Sequence, residues 1–169
     1  QMGDFLAEHC KQAGIKATLI RGEKATGVAN TFISKDCERT FATHLGAAAC
    51  LTKEEVSQAW FEVYDLLYLE CYLVQNHELI EYMAQVSKAC GLLIAIDLAS
   101  YNVVREHLDF MHHLVVNYVD IVFANEEESD AFTLGKEAKD ALEELAQSTK
   151  VALVKLGGRG SMAMADGVR

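Results

Sequence analysis

The chain has 169 residues, 51% of them hydrophobic, which is close to the size of one domain and enough for a sizeable core, so long disordered stretches are not expected. A formal net charge of −10, with 15 scattered Lys and Arg residues, argues against nucleic acid or an anionic membrane as partner, because clustered basic groups read such surfaces. Cys10, Cys37, Cys50, Cys71 and Cys90 form no CxxC pair, and with no membrane-length apolar run and no signal peptide they point to small core residues in a reducing cytoplasm.

In chain order, Phe5, Leu6, Cys10 and Ala13 recur at helical spacing and Gly14 closes the helix, after which Lys16 to Ile20 reads as a strand. Val28 to Ser34 and Arg39 to His44 read as a β-hairpin joined by Lys35, Asp36, Cys37 and Glu38. From residue 53 the rhythm changes. A helix is predicted from Lys53 to about Phe61, a strand over Leu66 to Leu69, a helix from His77 to Cys90 and a strand over Leu92 to Ile96. A further helix follows, then a strand over Val119 to Ala124, a helix over Lys136 to Gln147 and a strand over Val151 to Leu156. Apolar strands alternating with amphipathic helices predict an α/β fold whose mostly parallel sheet is covered on both faces, with the hairpin standing apart as a small sheet or lid.

The predicted strand ends carry the polar groups. Leu66 to Leu69 runs into Glu70, Leu92 to Ile96 into Asp97, and Val119 to Ala124 into Asn125 and Glu128, while Val151 to Leu156 runs into Gly157-Gly-Arg-Gly-Ser161. Carboxyl ends of parallel strands share one rim, where ligands collect in open α/β sheets. Glu126, Glu127 and Glu128 repel one another there, so a cation is expected nearby, with a hard ion such as Mg²⁺ bridging to phosphate one candidate. A second reading stays open: Asn125 as an N-cap with acidic residues in the first helical turn. Asp97 likewise reads either as a site residue or as a cap, and the glycine turn either as a backbone cradle for a nucleotide or as a connection to a short strand at Met162. His107, His112 and His113 complete no metal set and read as helix residues, and Trp60 and Phe61 read as packing.

In this order, Ala25-Thr-Gly-Val-Ala-Asn30, Leu69-Glu-Cys-Tyr-Leu73, Ile96-Asp-Leu-Ala-Ser100, Val119 to Glu128 with its N-x-x-E, and Val154-Lys-Leu-Gly-Gly-Arg-Gly-Ser161 resemble the ribokinase family of carbohydrate kinases, over essentially the whole chain and nearest to its adenosine-kinase-like branch. The resemblance implies a three-layer α/β/α, Rossmann-like domain over residues 1–169, with lid segments at about 16–48, and transfer of the ATP γ-phosphoryl group to a hydroxyl of a sugar or nucleoside. It implies that Asn125 and Glu128 organise Mg²⁺ and its waters, with Asp97 behind them, and that Lys155, Gly157, Gly158, Gly160 and Ser161 border ATP. Val28, Ala29, Leu45 and Ala47 would face the acceptor, and the lid could pair two copies as a homodimer.

Departures accompany the matches. The family's GAGD motif, with its aspartate base, does not occur in these residues; Cys71 stands where Gly is common and Lys155 where Thr is frequent. The Asp97-Leu-Ala-Ser100 segment continues as Tyr101-Asn102, without the particular aromatic residue that adenosine kinases tend to place against the base. Together with zero prolines and abrupt ends at Gln1 and at Val168-Arg169, this predicts the central portion of a longer chain, inactive as it stands. The alternative is a non-catalytic nucleotide- or sugar-binding regulator of the same fold.

Overall fold

The computed structural model describes residues 2–165; the predicted turn at Asp166-Gly167, the strand start at Val168-Arg169 and Gln1 lie outside them. The chain forms two compact units that divide between Glu55 and Val56.

The first unit opens with helix α1 (Met2–Gln12), which ends where Gly14 turns left-handed at φ 71°. Lys16 to Ile20, predicted as a strand, is instead an exposed segment in no ladder. Its β-forming residues have no adjacent strand to pair with, and an extended segment gains little without one. Strands β1 (Thr26–Ile33) and β2 (Arg39–Gly46) form the expected antiparallel hairpin, in register from Thr26↔Gly46 to Ile33↔Arg39, and are longer than predicted. The base of the hairpin is built on glycine. A Cβ on Gly46, at φ 58°, would run into the Ala25 carbonyl, and one on Gly27 would meet the Leu45 carbonyl. Above it, Val28, Phe32, Ile33 and Phe41 are exposed.

The helix predicted over Lys53 to Phe61 is not formed; two separate 3₁₀ turns, Lys53–Glu55 and Gln58–Trp60, replace it. Val56 and Phe61, the two buried side chains here, lie five positions apart and share no helical face, so the backbone breaks between the turns to bury both. Of the five cysteines, expected in the core, Cys71 is buried whereas Cys37 and Cys50 are exposed.

The second unit is a five-stranded sheet flanked by helices. Its elements are β3 (Leu66–Glu70), α2 (His77–Ala89), β4 (Leu93–Asp97), α3 (Tyr101–Glu106), α4 (Leu108–Asn117), β5 (Ile121–Asn125), α5 (Glu126–Phe132), α6 (Ala138–Ser148), β6 (Val151–Lys155) and β7 (Ser161–Ala165). The strands lie in the order β3-β4-β5-β6-β7, with β3 to β6 parallel and β7 antiparallel to β6. Each strand falls within two residues of its predicted place.

Consecutive parallel strands laid down in sequential order, each joined by a right-handed crossover, put every crossover helix on the same face. Burial agrees. Leu69, Ile94, Ile96, Val122, Ala124, Ala152 and Val154 form one core with Ile80 and Ala84 of α2, Met111 and Leu114 of α4, Phe132 of α5 and Leu142 of α6. The alternate residues, in register across the sheet, face the other way: Leu66 and Tyr68, Leu93 and Ala95, Ile121 and Phe123, Val151 and Leu153, Ala163 and Ala165. None belongs to that core, and Leu66, Tyr68 and Leu93 are exposed. The crossover helices of residues 56–165 thus pack on one face of the sheet.

At the amino-terminal edge of the sheet, Asp120 ties three elements together. One of its oxygens accepts from the Ile94 N–H at 2.8 Å and from Lys88 Nζ, and the other pairs with Lys150 Nζ at 2.9 Å. Burial alone would push its pKa up, but the bonds from Lys88, Ile94 and Lys150 more than offset this, leaving the carboxyl below its ordinary value. Its stabilising effect is therefore present above the unfolded-state pKa of about 3.9 and lost as the pH falls through the lower folded value. Asp120→Asn is expected to cost about 1–3 kcal/mol at neutral pH, a modest value because both lysines are partly solvated, and the deficit should shrink in acid. Urea melts at pH about 7 and about 3.5 check this; an equal deficit at both would mean that the charge is irrelevant.

Candidate functional site

The register of β3 to β6 decides which side chains meet at the carboxyl rim. Glu70 pairs with Asp97, Asp97 lies beside Phe123, Asn125 pairs with Lys155, and Lys155 pairs with Ser161. The predicted polar strand ends are thus brought to one edge.

At the end of β4, Asp97 is largely buried, at 15% side-chain exposure, and both of its oxygens are engaged: Oδ2 with Lys155 Nζ at 2.6 Å, Oδ1 with the Ala99 N–H at 3.1 Å. Burial opposes the charge on Lys155, but the hydrogen bond and charge of Asp97, aided by Glu128 and Glu70, outweigh it, so the lysine titrates above its ordinary range and stays cationic. The backbone beyond Asp97 is strained. Ala99 sits at φ 68°, a conformation that typically costs about 1–3 kcal/mol for a residue with a Cβ and clusters at functional sites.

At the end of β5, Asn125 is the N-cap of α5 and forms a full capping box with Glu128. Asn125 Oδ1 accepts from the Glu128 N–H at 2.9 Å, and Glu128 accepts from the Asn125 N–H and Nδ2, each at 2.7 Å. The two readings of this motif therefore share the same atoms. Glu128 is only 3% exposed, and burial raises its pKa, reinforced by Asp97 and Glu70 against the lowering effect of the Asn125 N–H and Lys155.

The turn after β6 is a single 3₁₀ turn, Gly157–Arg159, closed by Gly160 N–H to Gly157 O at 3.1 Å and Leu156 N–H to Gly160 O at 2.7 Å. Gly160, at φ 93° and ψ −138°, occupies a region open only to glycine. A Cβ at Gly157, Gly158 or Gly160 would meet nothing within 4 Å, so the turn presents bare backbone to its surroundings. Arg159 pairs with Glu126 in the first turn of α5 and fastens the glycine turn to the capping box. Nothing in the sequence singled out that pair, nor Tyr72, whose hydroxyl donates to the Ala99 carbonyl at 3.0 Å. Cys71, beside it, is buried with its thiol pushed up to about 12, mainly by burial, and is inert.

Three carboxylates, Glu70, Asp97 and Glu128, thus act on one another and on a single lysine. That excess of negative oxygen suits a hard cation. Among the described residues no three His, Cys, Asp or Glu side chains converge closely enough to ligate a bare ion. The remaining lone pairs of Glu128 and Asp97 would suit Mg²⁺ held through its own waters, the mode that ion prefers.

The other predicted residues belong to other elements. On the hairpin, Val28 and Ala29 are exposed on β1, Leu45 is half-buried near the end of β2, and Ala47 follows Gly46, its N–H bonded to the Ala25 carbonyl at 2.8 Å. The histidines do not gather: His107 bonds His77 at 3.1 Å, His112 the Phe132 carbonyl at 3.0 Å, and His113 Glu81 at 3.1 Å. Among the described residues no helix is long and apolar enough to cross a membrane.

Residues 1–168 match the family model described as pfkB family carbohydrate kinase. No curated protein matches the chain. Among solved structures, a probable sugar kinase protein from Rhizobium etli CFN 42 is 26% identical with a TM-score of 0.91, the match covering 100% of this chain and 53% of that one. Adenosine kinase from Sinorhizobium meliloti is 28% identical with a TM-score of 0.90 over the same 100% and 53%. A ribokinase from Giardia lamblia, at 22% identity, TM-score 0.81 and 100% and 55% coverage, shares the fold. The chain spans about half the length of the solved structures it matches.

The raised pKa of Glu128 carries a sign. Its protonated form is favoured in the folded state, so its contribution to stability is present below the unfolded-state pKa and is lost as the pH rises through the folded one. Glu128→Gln keeps a capping-box side chain without the charge. Its melting temperature relative to the parent should therefore climb between pH about 4 and about 7, read by thermal melts across that range. A pH-independent difference would mean that Glu128 is solvated like a free carboxylate.

Proposed function

The chain belongs to the pfkB family of carbohydrate kinases, and we propose that the protein transfers the γ-phosphoryl group of ATP to a hydroxyl of a sugar or nucleoside. The observation that carries this reading is the rim itself, where Asp97, Glu128 and the cationic Lys155 stand beside a turn of bare glycine backbone. Phosphoryl transfer asks a protein for positioning and charge stabilisation, and these groups can supply both.

Lys155 would meet phosphate oxygens with a charge that Asp97 keeps protonated and aimed, while Gly157, Gly158, Gly160 and Ser161 let the nucleotide approach the main chain. Asp97 and Glu128 would hold Mg²⁺ through its waters, with Asn125 fixing Glu128 by the capping box. When bound, that ion would neutralise charge on the phosphates. Val28, Ala29, Leu45 and Ala47 would close over the acceptor and exclude water. The aspartate base of the family's GAGD motif does not occur in these 169 residues, so we expect no turnover from them alone. The exposed Val28, Phe32, Ile33 and Phe41 of a hairpin too small to be stable unaided support a homodimer formed through it. A cytoplasmic location completes the reading.

The similarity to both an adenosine kinase and a sugar kinase leaves the acceptor to be found by screening sugars and nucleosides with the intact protein. Gly160→Val then separates the two halves of the site. The new side chain meets no neighbour, so its effect comes from φ 93°, which valine cannot hold at low cost. We expect KM for ATP to rise about tenfold or more, as ~1.4 kcal/mol of backbone strain would give, with KM for the acceptor little changed. Equal losses in both titrations would indicate misfolding of the turn. Nucleotide binding without phosphorylation of any acceptor would instead identify a non-catalytic regulator.

A further inference from the structure

Between β4 and α3 the chain turns through Ala99, at φ 68°. The Ser100 N–H donates to the Leu98 carbonyl at 2.9 Å, which closes a three-residue γ-turn of the rare positive-φ kind. Ala99 has both of its backbone polar groups held by side chains. Its N–H donates to Asp97 Oδ1 at 3.1 Å, and its carbonyl accepts from the Tyr72 hydroxyl at 3.0 Å. The other Asp97 oxygen takes Lys155 Nζ at 2.6 Å. One line of bonds therefore runs from Tyr72, just after β3, through Ala99 and Asp97 at the end of β4, to Lys155 at the end of β6.

An alanine has no intrinsic reason to remain left-handed, since its Cβ crowds the adjacent backbone there. Something must hold it. The Tyr72 side chain is not itself core, being 47% exposed, so its ring is not what packing demands at this position. Its hydroxyl does what a phenylalanine could not, by fixing the orientation of the peptide that follows Ala99.

We propose that Tyr72 is a positioning residue for the phosphate end of the site: its hydroxyl clamps the Ala99 carbonyl, keeps the γ-turn left-handed and so aims Asp97 at Lys155. The inference rests on the reading of this rim as the ATP site. Without the hydroxyl, Ala99 relaxes toward negative φ, its N–H swings away from Asp97, and the carboxylate loses the bond that orients it. Glycine, which occupies positive φ as readily as negative, does not need the clamp. Loss of the hydroxyl and gain of glycine should therefore compensate.

The test is a double-mutant cycle in the intact protein: Tyr72→Phe, Ala99→Gly, and the two together. With MgATP and an acceptor found by screening, Tyr72→Phe is expected to lower kcat about tenfold while KM for the acceptor stays within about twofold, and the double variant to recover most of the loss. A second readout needs no catalysis. Crystal structures of the variants should show the Asp97–Lys155 contact, 2.6 Å in the parent, opened in Tyr72→Phe and closed again in the double variant. A kcat loss that glycine at position 99 does not restore, or an Asp97–Lys155 contact unchanged in Tyr72→Phe, overturns the clamp. A contact that opens and closes again, in a protein that phosphorylates no sugar or nucleoside, upholds the clamp and overturns the kinase reading.

Discussion

Parallel register is the constraint on which the site depends. Strands β3 to β6 all finish on one edge, and their pairing sets Glu70 against Asp97 and Asn125 against Lys155. No residue in that set is close to all the others in sequence. Asp97 and Lys155 are 58 positions apart, and only the ladder makes them an ion pair. Shifting one strand by a single residue would send its terminal side chain to the opposite face, so the register that buries Ile96, Ala124 and Val154 on the helix side also turns Asp97 and Lys155 the other way. The core and the site are two consequences of one alternation.

That coupling explains what could be read from the chain. The strands near residues 66, 92, 119 and 151 are short β-branched or leucine-rich runs bounded by charge or glycine, and a strand buried on one face and half-covered on the other keeps an apolar signal at every position. Polar residues at their ends were visible for the same reason. Lys16 to Ile20 carried a similar local signal and failed because pairing is not a local property. Lys53 to Phe61 had good helix formers, but the burial of Val56 and Phe61 five positions apart overrode propensity. Which face a given helix takes is not local either, since alternating strands and helices do not reveal it until strand order is known.

Within the site, residue types were legible and their engagement was not. Asn125 and Glu128 stood out as a pair, yet whether they formed a cap or a cation site could not be separated by sequence, and the structure shows why: both Glu128 oxygens accept from Asn125 while its charge is left in a field of Asp97 and Glu70. A cap ordinarily lies at the surface, where its carboxylate is solvated. Here it is buried, so the capping bonds hold the group in place and the Asn125 N–H offsets only part of the cost of its charge. Tyr72 and Ala99 gave no signal, because nothing about an alanine announces a positive φ and nothing about a tyrosine announces which carbonyl it reaches.

The two edges of the same sheet show how charge balance separates support from chemistry. At the amino-terminal edge one carboxylate, Asp120, meets two lysines and a backbone N–H, and its pKa is lowered. Everything there is satisfied, and a further cation would find no place. At the carboxyl edge the ratio is reversed: Glu70, Asp97 and Glu128 share Lys155, and Glu128 is pushed up. A folded chain could relieve that imbalance by replacing Glu128 with glutamine, which can still cap a helix. Keeping the carboxylate makes this edge less stable near neutral pH than it could be, a cost that a proton or an arriving cation would offset. The carboxyl rim, where three carboxylates face one lysine, is thus the edge whose charge a cationic ligand would balance, and the amino-terminal rim is not.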